Sequence, residues 1–293
     1  MPRKNYNPNQ IRLLILDVDG VIVGEKIGYN SPHPHPDVLL RLKNIKKNGV
    51  HISLCTAKPH YAIKDIINTS HLTNPHITDG GAVLIDSINQ QIVKKHVIGK
   101  DIATKILKRF IEEGIYTEFY TPDNYYLQTS QQNDTTTIHT HILQQPPIFA
   151  DSLSQTSHQL EVVKIMPIAP NKAGKEKINQ VFSKYTDYLT LSWGIHPIAL
   201  PRQFGIITTK HISKKEAAQE IAHSLNIIPS HMLGIGDSTS DWQFIENCAF
   251  AGAMGNASAE LKALIKTKER DRYCIGKSVD DNGVLHIFDY FQL

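Results

Sequence analysis

Residues 11–23 read IRLLILDVDGVIV, from Ile11 to Val23. The run from Ile11 to Leu16 carries one charge and stops at Asp17; Asp19 and Gly20 follow. About six apolar and β-favouring residues cut off by polar residues and glycine predict a buried strand of a parallel sheet. In open α/β sheets, ligands bind just beyond the carboxyl ends of the strands. The spacing therefore delivers Asp17 and Asp19 to the place where such a sheet does chemistry. Two carboxylates this close repel unless a cation or a shared proton relieves them. Asp after a strand also serves as a turn former or helix cap. The rest of the chain has to decide between these roles.

Working outward, Gly20 to Pro36 is irregular, and its HPHP stretch predicts an extended loop with solvent-facing His33 and His35. Asp37 is expected to cap a helix from Val38 to Asn48, ended by Gly49. A second buried strand, Val50 to Cys55, ends at Thr56-Ala57-Lys58-Pro59. A helix from His60 to Asn68 and a short strand at Ile77 and Thr78 complete a β-α-β-α-β series. The middle of the chain has a different texture. Strands are expected at Val83–Ile85, Gln91–Val97, Tyr116–Tyr120, Tyr125–Thr129, Val162–Met166, Leu189–Trp193 and Ile198–Leu200. Helices are expected at Ile102–Glu113 and Ala173–Tyr185, and Ser130–His158 reads as a long loop or frayed hairpin. The βα texture returns from Gly205, with a strand end at Ile206 and Ile207, a helix from Lys214 to Leu225 and a strand from Met232 to Ile235. A short strand (Ala249–Ala253) and two helices (Ala257–Lys266 and Val284–Phe291) close the chain.

The expected fold class is therefore α/β: a doubly wound, Rossmann-like core with a parallel sheet, interrupted by an α+β insertion. The expected division is a discontinuous core of residues 1–81 and 205–293 around an inserted unit of residues 82–204. The 293 residues suit about two domains. Apolar content of 41%, charged content of 20% and a net charge of +3 without like-charge blocks argue against disorder, nucleic-acid binding and membrane-surface binding. The polar opening MPRKNYNPNQ and the short apolar run after it predict neither a signal peptide nor a membrane span. Three scattered cysteines, Cys55, Cys248 and Cys274, read as reduced core residues of a cytoplasmic protein. Fifteen dispersed histidines include no helical pair at metal-site spacing.

Three strand ends now converge: Asp17 with Asp19, Thr56, and Asp237 with Asp241, while Lys214 opens the helix leading into the last strand. Converging carboxylates need a counter-ion, and hard oxygen ligands select Mg²⁺. A Thr hydroxyl and a Lys ammonium can bind phosphate oxygens. The set suits phosphoryl transfer, with Asp17 as nucleophile and Asp19 as proton carrier. Alone, Thr56 is a common strand-ending residue and Lys214 a common helix-surface residue; the carboxylates give them meaning.

LDVDGVIV (16–23), LCTAKP (54–59), HISKKEA (211–217) and GIGDSTSDWQFI (234–245) stand in the order and spacing of four motifs. With FAGAMGNASAELK (250–262), they make the chain resemble the haloacid dehalogenase superfamily over essentially its whole length. The matching branch is the Cof-type subfamily IIB, whose large C2-type α/β cap lies between the second and third motifs. The resemblance implies a Mg²⁺-dependent phosphatase acting on a small phosphorylated metabolite, a sugar phosphate or similar phosphomonoester, through an aspartyl-phosphate. It implies Asp17 as nucleophile and metal ligand, and Asp19 as general acid/base, binding metal through its backbone carbonyl. Thr56 and Lys214 resemble the phosphate binders, Asp237 a direct metal ligand, Asp241 a direct or outer carboxylate, and Asn256 a structural residue near the site. The chain departs from the usual T-G-R at Ala57 and Lys58, from G-D-x-x-N-D at Ser240, and from Asn-Gly at Gly80-Gly81. Ser240 keeps one hydrogen bond for phosphate, and Lys58 keeps charge without the guanidinium fork. A phosphosugar mutase and a phospho-ligand-binding module with weakened catalysis are the alternatives. Tyr116–Tyr126 and Ser192–His196 are candidate specificity segments; the substrate and the oligomeric state are left open.

Overall fold

The computed structural model describes residues 11–89 and 91–293, so the polar opening segment lies outside the described residues. In chain order, β1 (Leu13–Leu16), α1 (Pro36–Lys47), β2 (His51–Leu54), α2 (Lys64–Thr69) and β3 (His76–Thr78) open the fold. Then come β4 (Val83–Asp86), β5 (Gln91–Lys95), α3 (Lys100–Glu112), β6 (Thr117–Tyr120), β7 (Tyr125–Gln128), α4 (Asp134–Leu143) and β8 (Ile148–Ala150). They lead into α5 (Leu153–Gln159), β9 (Lys164–Ala169), α6 (Lys172–Phe182), β10 (Leu189–Gly194) and β11 (Gln203–Thr209). The chain closes with α7 (Lys214–Ser224), β12 (Met232–Gly236), α8 (Trp242–Ile245), β13 (Phe250–Ala253), α9 (Ala259–Ile265), β14 (Tyr273–Ile275) and α10 (Val284–Tyr290).

The core sheet runs β14-β13-β12-β1-β2, with every neighbouring pair parallel. All four residues of β1 are buried, as a strand covered on both faces requires. Leu16 stands opposite Ile235 of β12 and Leu54 of β2, so Asp17, Cys55-Thr56 and Gly236-Asp237 emerge side by side. The chain winds outward from β1 in both directions, which makes the β1/β12 gap the topological switch point.

A six-stranded sheet, β10-β11-β9-β6-β7-β8, forms the inserted cap, and β3-β4-β5 forms a small third sheet. Strand side chains alternate between faces, and the cap sheet uses both. Phe119, Ile165 and Ile207 pack into a core with Ile106, Phe110 and Ile178 of α3 and α6. Their neighbours Tyr120, Met166, Phe204 and Ile206 join the main core, facing the first domain.

Several expectations differ from the structure. α1 begins at Pro36 with His35 as its cap, the ring accepting the Asp37 backbone N–H at 3.2 Å. Pro is pre-set for the first helical position, which moves the start ahead of Asp37. The stretch 130–158 is not a loop or hairpin, because it holds α4, β8 and α5. Asn133 and Ser152 cap the two helices, and α4 buries Thr135, Thr136 and His139, a face that hydropathy reads as polar. Ile198–Leu200 is not a strand: Pro197–Ala199 is a 3₁₀ turn, and the strand follows at Gln203–Thr209. That strand pairs antiparallel with β9 and β10, so the expected division at 204/205 falls inside a cap strand. β4 and β5 pair with β3, so the division at 81/82 falls next to the third sheet and not at a free linker. Cys55, Cys248 and Cys274 are buried free thiols, and no described helix is long and apolar enough to cross a membrane.

A fully buried ion pair helps tie cap to core. Lys164 of β9 donates to Asp79 Oδ1 and to the carbonyl of Ala57, both at 2.8 Å, and neither charged side chain is exposed. Its ammonium also lies 3.6 Å from the Tyr120 ring centroid. Burial pushes Asp79 up and Lys164 down, and each opposes the other's shift. Lys164→Met strands Asp79 without its cation and is expected to lower the unfolding free energy by about 3–5 kcal/mol. Urea denaturation followed by tryptophan fluorescence measures this.

Candidate active site

β1 ends in Asp17, whose backbone N–H donates to Ile235 O at 3.0 Å and anchors the turn to the sheet. Lys214, first residue of α7, is aimed at the same point because Ser213 caps that helix by accepting the Lys215 N–H. Its ammonium lies 3.1 Å from Asp17 Oδ1 and 2.7 Å from Asp241 Oδ1. Asp241 is fully buried, and its Oδ2 accepts from the backbone N–H groups of Asp237 and Ser238 and from the Ser238 hydroxyl, at 3.0–3.1 Å. Asp241 therefore holds the Asp237–Ser238 turn and Lys214 together.

Asp17, Asp237 and Asp241 bring ligand oxygens within 4.8 Å of one another. Burial first, and then Asp241, push Asp17 up to about 7, against the pull of Lys214. Burial, Asp241 and Asp17 push Asp237 well above the usual carboxylate range. Lys214 itself is held well above its usual value; burial works against this, but Asp17 and Asp241 outweigh it. The cluster thus carries more negative charge than one ammonium relieves, and its all-oxygen donor set fits a hard divalent cation.

The Asp19 carboxylate lies outside that cluster. Its Oδ1 sits 2.7 Å from Lys58 Nζ and 3.1 Å from His196 Nε2. Burial raises its pKa, yet Lys58 and His196 outweigh burial and hold it below the usual range. Burial pushes His196 down, with Asp19 opposing. Thr56 is buried after β2, its Oγ1 accepting the Lys58 N–H at 3.1 Å, and Ser240 Oγ lies 2.8 Å from Ser238 Oγ. Asp17, Asp19, Thr56, Lys214, Asp237 and Ser240 line one cavity. Asn256 sits behind it, donating to Gly20 O at 2.9 Å and accepting Val279 N–H at 2.8 Å, which braces the Asp17–Gly20 turn.

Lys58, read in the sequence only as a departure from arginine, is here the partner of Asp19. His196 falls in the segment 192–196 that sequence marked for specificity, but its contact with Asp19 spans 177 positions and has no local signature. The Asp79–Lys164 pair was missed for the same reason, since its members stand 85 positions apart. Tyr120 and Tyr125 stack at 5.4 Å and Phe119 and Tyr126 at 4.6 Å, so the aromatic stretch packs mostly upon itself.

Gly20 has φ +75°, and a Cβ there would lie 1.9 Å from Asp237 Oδ2. Gly20→Ala is therefore expected to displace Asp237 and to cost at least about 1–2 kcal/mol from the backbone alone. Urea titration measures the stability loss, and a crystal structure of the variant shows the displaced carboxylate.

Known proteins resemble this chain throughout its length. A relative from Streptococcus pyogenes, provisionally named a phosphatase, is 26% identical over 286 residues, covering 94% of this chain and 96% of its own. A haloacid dehalogenase-like hydrolase from Bacteroides thetaiotaomicron superposes with a TM-score of 0.78 at 16% identity, covering 95% and 98% of the two chains. A sugar phosphatase of subclass IIB superposes with a TM-score of 0.75 at 18% identity, covering 96% and 99%. These structures share the fold, cap included. Residues 14–288 match the family model of the haloacid dehalogenase-like hydrolases, and the chain belongs to that family.

Proposed function

We propose that this hydrolase is a Mg²⁺-dependent phosphatase that cleaves a small phosphorylated metabolite, a sugar phosphate or a related phosphomonoester. The observation that carries the reading is the position of Asp17, set between the Lys214 ammonium and the Asp237/Asp241 carboxylates with Asp19 across the same cavity. The phosphatase names of relatives point the same way.

Asp17, Asp237 and Asp241 would hold the cation, together with the Asp19 backbone carbonyl; Asp241 would do so from behind, since both its oxygens already accept protein donors. When bound, Mg²⁺ supplies charge neutralisation for the carboxylate cluster and the phosphate. Thr56, Lys214 and Ser240 hold phosphate oxygens and orient the phosphorus toward Asp17. An Asp17 oxygen attacks phosphorus while the bond to the alcohol oxygen breaks, leaving a phosphoryl group on Asp17. Lys58 and His196 favour ionised Asp19. The negative charge of a phosphate beside it works the other way and favours proton uptake. Asp19 so protonated gives its proton to the departing alkoxide. The resulting Asp19 carboxylate then takes a proton from the water that attacks the phospho-aspartate, which releases inorganic phosphate and restores both residues. Lys58 and His196 hold the Asp19 carboxylate in place for both transfers. The cap excludes bulk water from the cavity while this occurs.

Asp17→Asn keeps the shape of the side chain and removes its nucleophilic oxygen. It is expected to abolish phosphate release with the fold intact by circular dichroism, while Asp19→Asn loses about 10²–10⁴-fold in kcat. Full activity of Asp17→Asn would overturn the mechanism. Phosphate release without an isomerised product also separates this reading from a mutase, and turnover separates it from a binding module.

Mg²⁺ at about 100 times its Kd is expected to stabilise the parent by about 2.7 kcal/mol, read as a rise in melting temperature. Asp237→Asn should be at least as stable as the parent without metal, because it removes a repelling carboxylate, and should lose most of the Mg²⁺-dependent rise. Equal Mg²⁺ shifts in parent and variant would remove Asp237 from the metal site.

A further inference from the structure

Beyond Asp19 lies a second cavity, whose lining does not include Asp17. The two cavities share Asp19, Ala57, Gly194, Ile195 and Ile206, so they meet at the proton carrier. A phosphate held by Thr56 and Lys214 in the first would direct its ester oxygen past Asp19 and its alcohol into the second.

The walls of that second cavity are made by the core-facing side of the cap sheet and by α4. Tyr120, Met166, Phe204 and Ile206 come from the sheet, Ile142 and Leu143 from the helix. Polar groups at the wall are turned to other partners. The Lys164 ammonium is directed at Asp79 and Ala57 O, and the Lys58 ammonium at Asp19. Glu118, behind the wall, is taken by His139 Nδ1 at 2.8 Å and by the Tyr120 hydroxyl at 2.6 Å. His196 turns its Nε2 to Asp19 at 3.1 Å, and its Nδ1 is enclosed by the protein.

We propose that the alcohol released by this enzyme is predominantly apolar, and that polyhydroxylated sugars are poor leaving groups here. The inference rests on the phosphatase reading and narrows it to the phosphomonoesters of such alcohols. A polyol placed in this cavity would bury hydroxyls against Met166, Phe204 and Ile142, and each hydroxyl left unpaired is penalised. An apolar ring or chain fills the same space and gains from its own removal from water. Specificity is then exclusion of the polar competitor by unmet hydrogen bonds.

The test compares kcat/KM for benzyl phosphate and ribose 5-phosphate, both esters of primary alcohols, with p-nitrophenyl phosphate as a general phosphatase probe. Benzyl phosphate is expected to be preferred by at least about tenfold. In Met166→Gln, which keeps side-chain length and adds an amide to the wall, this preference is expected to shrink by at least about threefold. A ratio of two substrates on one preparation is independent of the folded fraction, so partial destabilisation of the variant does not obscure it. Equal rates, a preference for ribose 5-phosphate, or an unchanged ratio in Met166→Gln with turnover retained would overturn the proposal and leave the phosphatase reading standing. No phosphate release from any of the three esters would overturn the phosphatase reading itself, and this inference with it.

Discussion

The parallel pairing of β1 with β2 on one side and β12 on the other is the constraint on which the rest depends. Parallel neighbours in register end together, so Asp17, Thr56 and Asp237 leave the sheet at one edge although 181 positions separate Thr56 from Asp237. Four fully buried residues in β1 hold that register through the apolar layers on both faces. A shift of one residue would turn the whole strand over, and the core would resist it.

The same register creates an electrostatic problem that shapes the surroundings. Three carboxylates gathered at a sheet edge repel, and burial makes each charged form dearer. Lys214, delivered by the first turn of α7, offsets part of this, and Asp241 holds the lysine while tying down the Asp237 turn. The negative excess that remains is compatible with a cation at that edge. A second charge balance stands a few residues away, where Lys58 from the core and His196 from the cap both hold Asp19. The surroundings of Asp19 are therefore assembled from both domains, and the buried Asp79–Lys164 pair joins those domains as well.

How far the sequence can be read follows from the range of the interactions. The strands β1, β2 and β12 were legible because each is a short apolar run closed by polar residues, and the candidate residues follow at their ends. Stretch 130–158 was not, because α4 buries threonines and a histidine whose partners include Glu118 of β6 and Tyr116 just before it. The end of the insertion was misplaced for a related reason. Ile206 and Ile207 read alike in either sheet, and only pairing with β9 and β10 assigns them to the cap.

By itself the sequence determined the doubly wound core, the presence of an inserted cap, and the set Asp17, Asp19, Thr56, Lys214, Ser240, Asp237 and Asp241 as the residues to look for. The core, the cap and most of these residues rest on local patterns, periodicity and the residues that interrupt it, while Ser240 rests on the family resemblance. Tertiary structure alone decided that Asp19 faces Lys58 and His196 and not the other carboxylates, that Lys164 reaches Asp79, and that an apolar cavity opens beyond Asp19. Each of these depends on which face of a strand meets which distant partner once the chain is packed, and alternation along a strand says only that there are two faces.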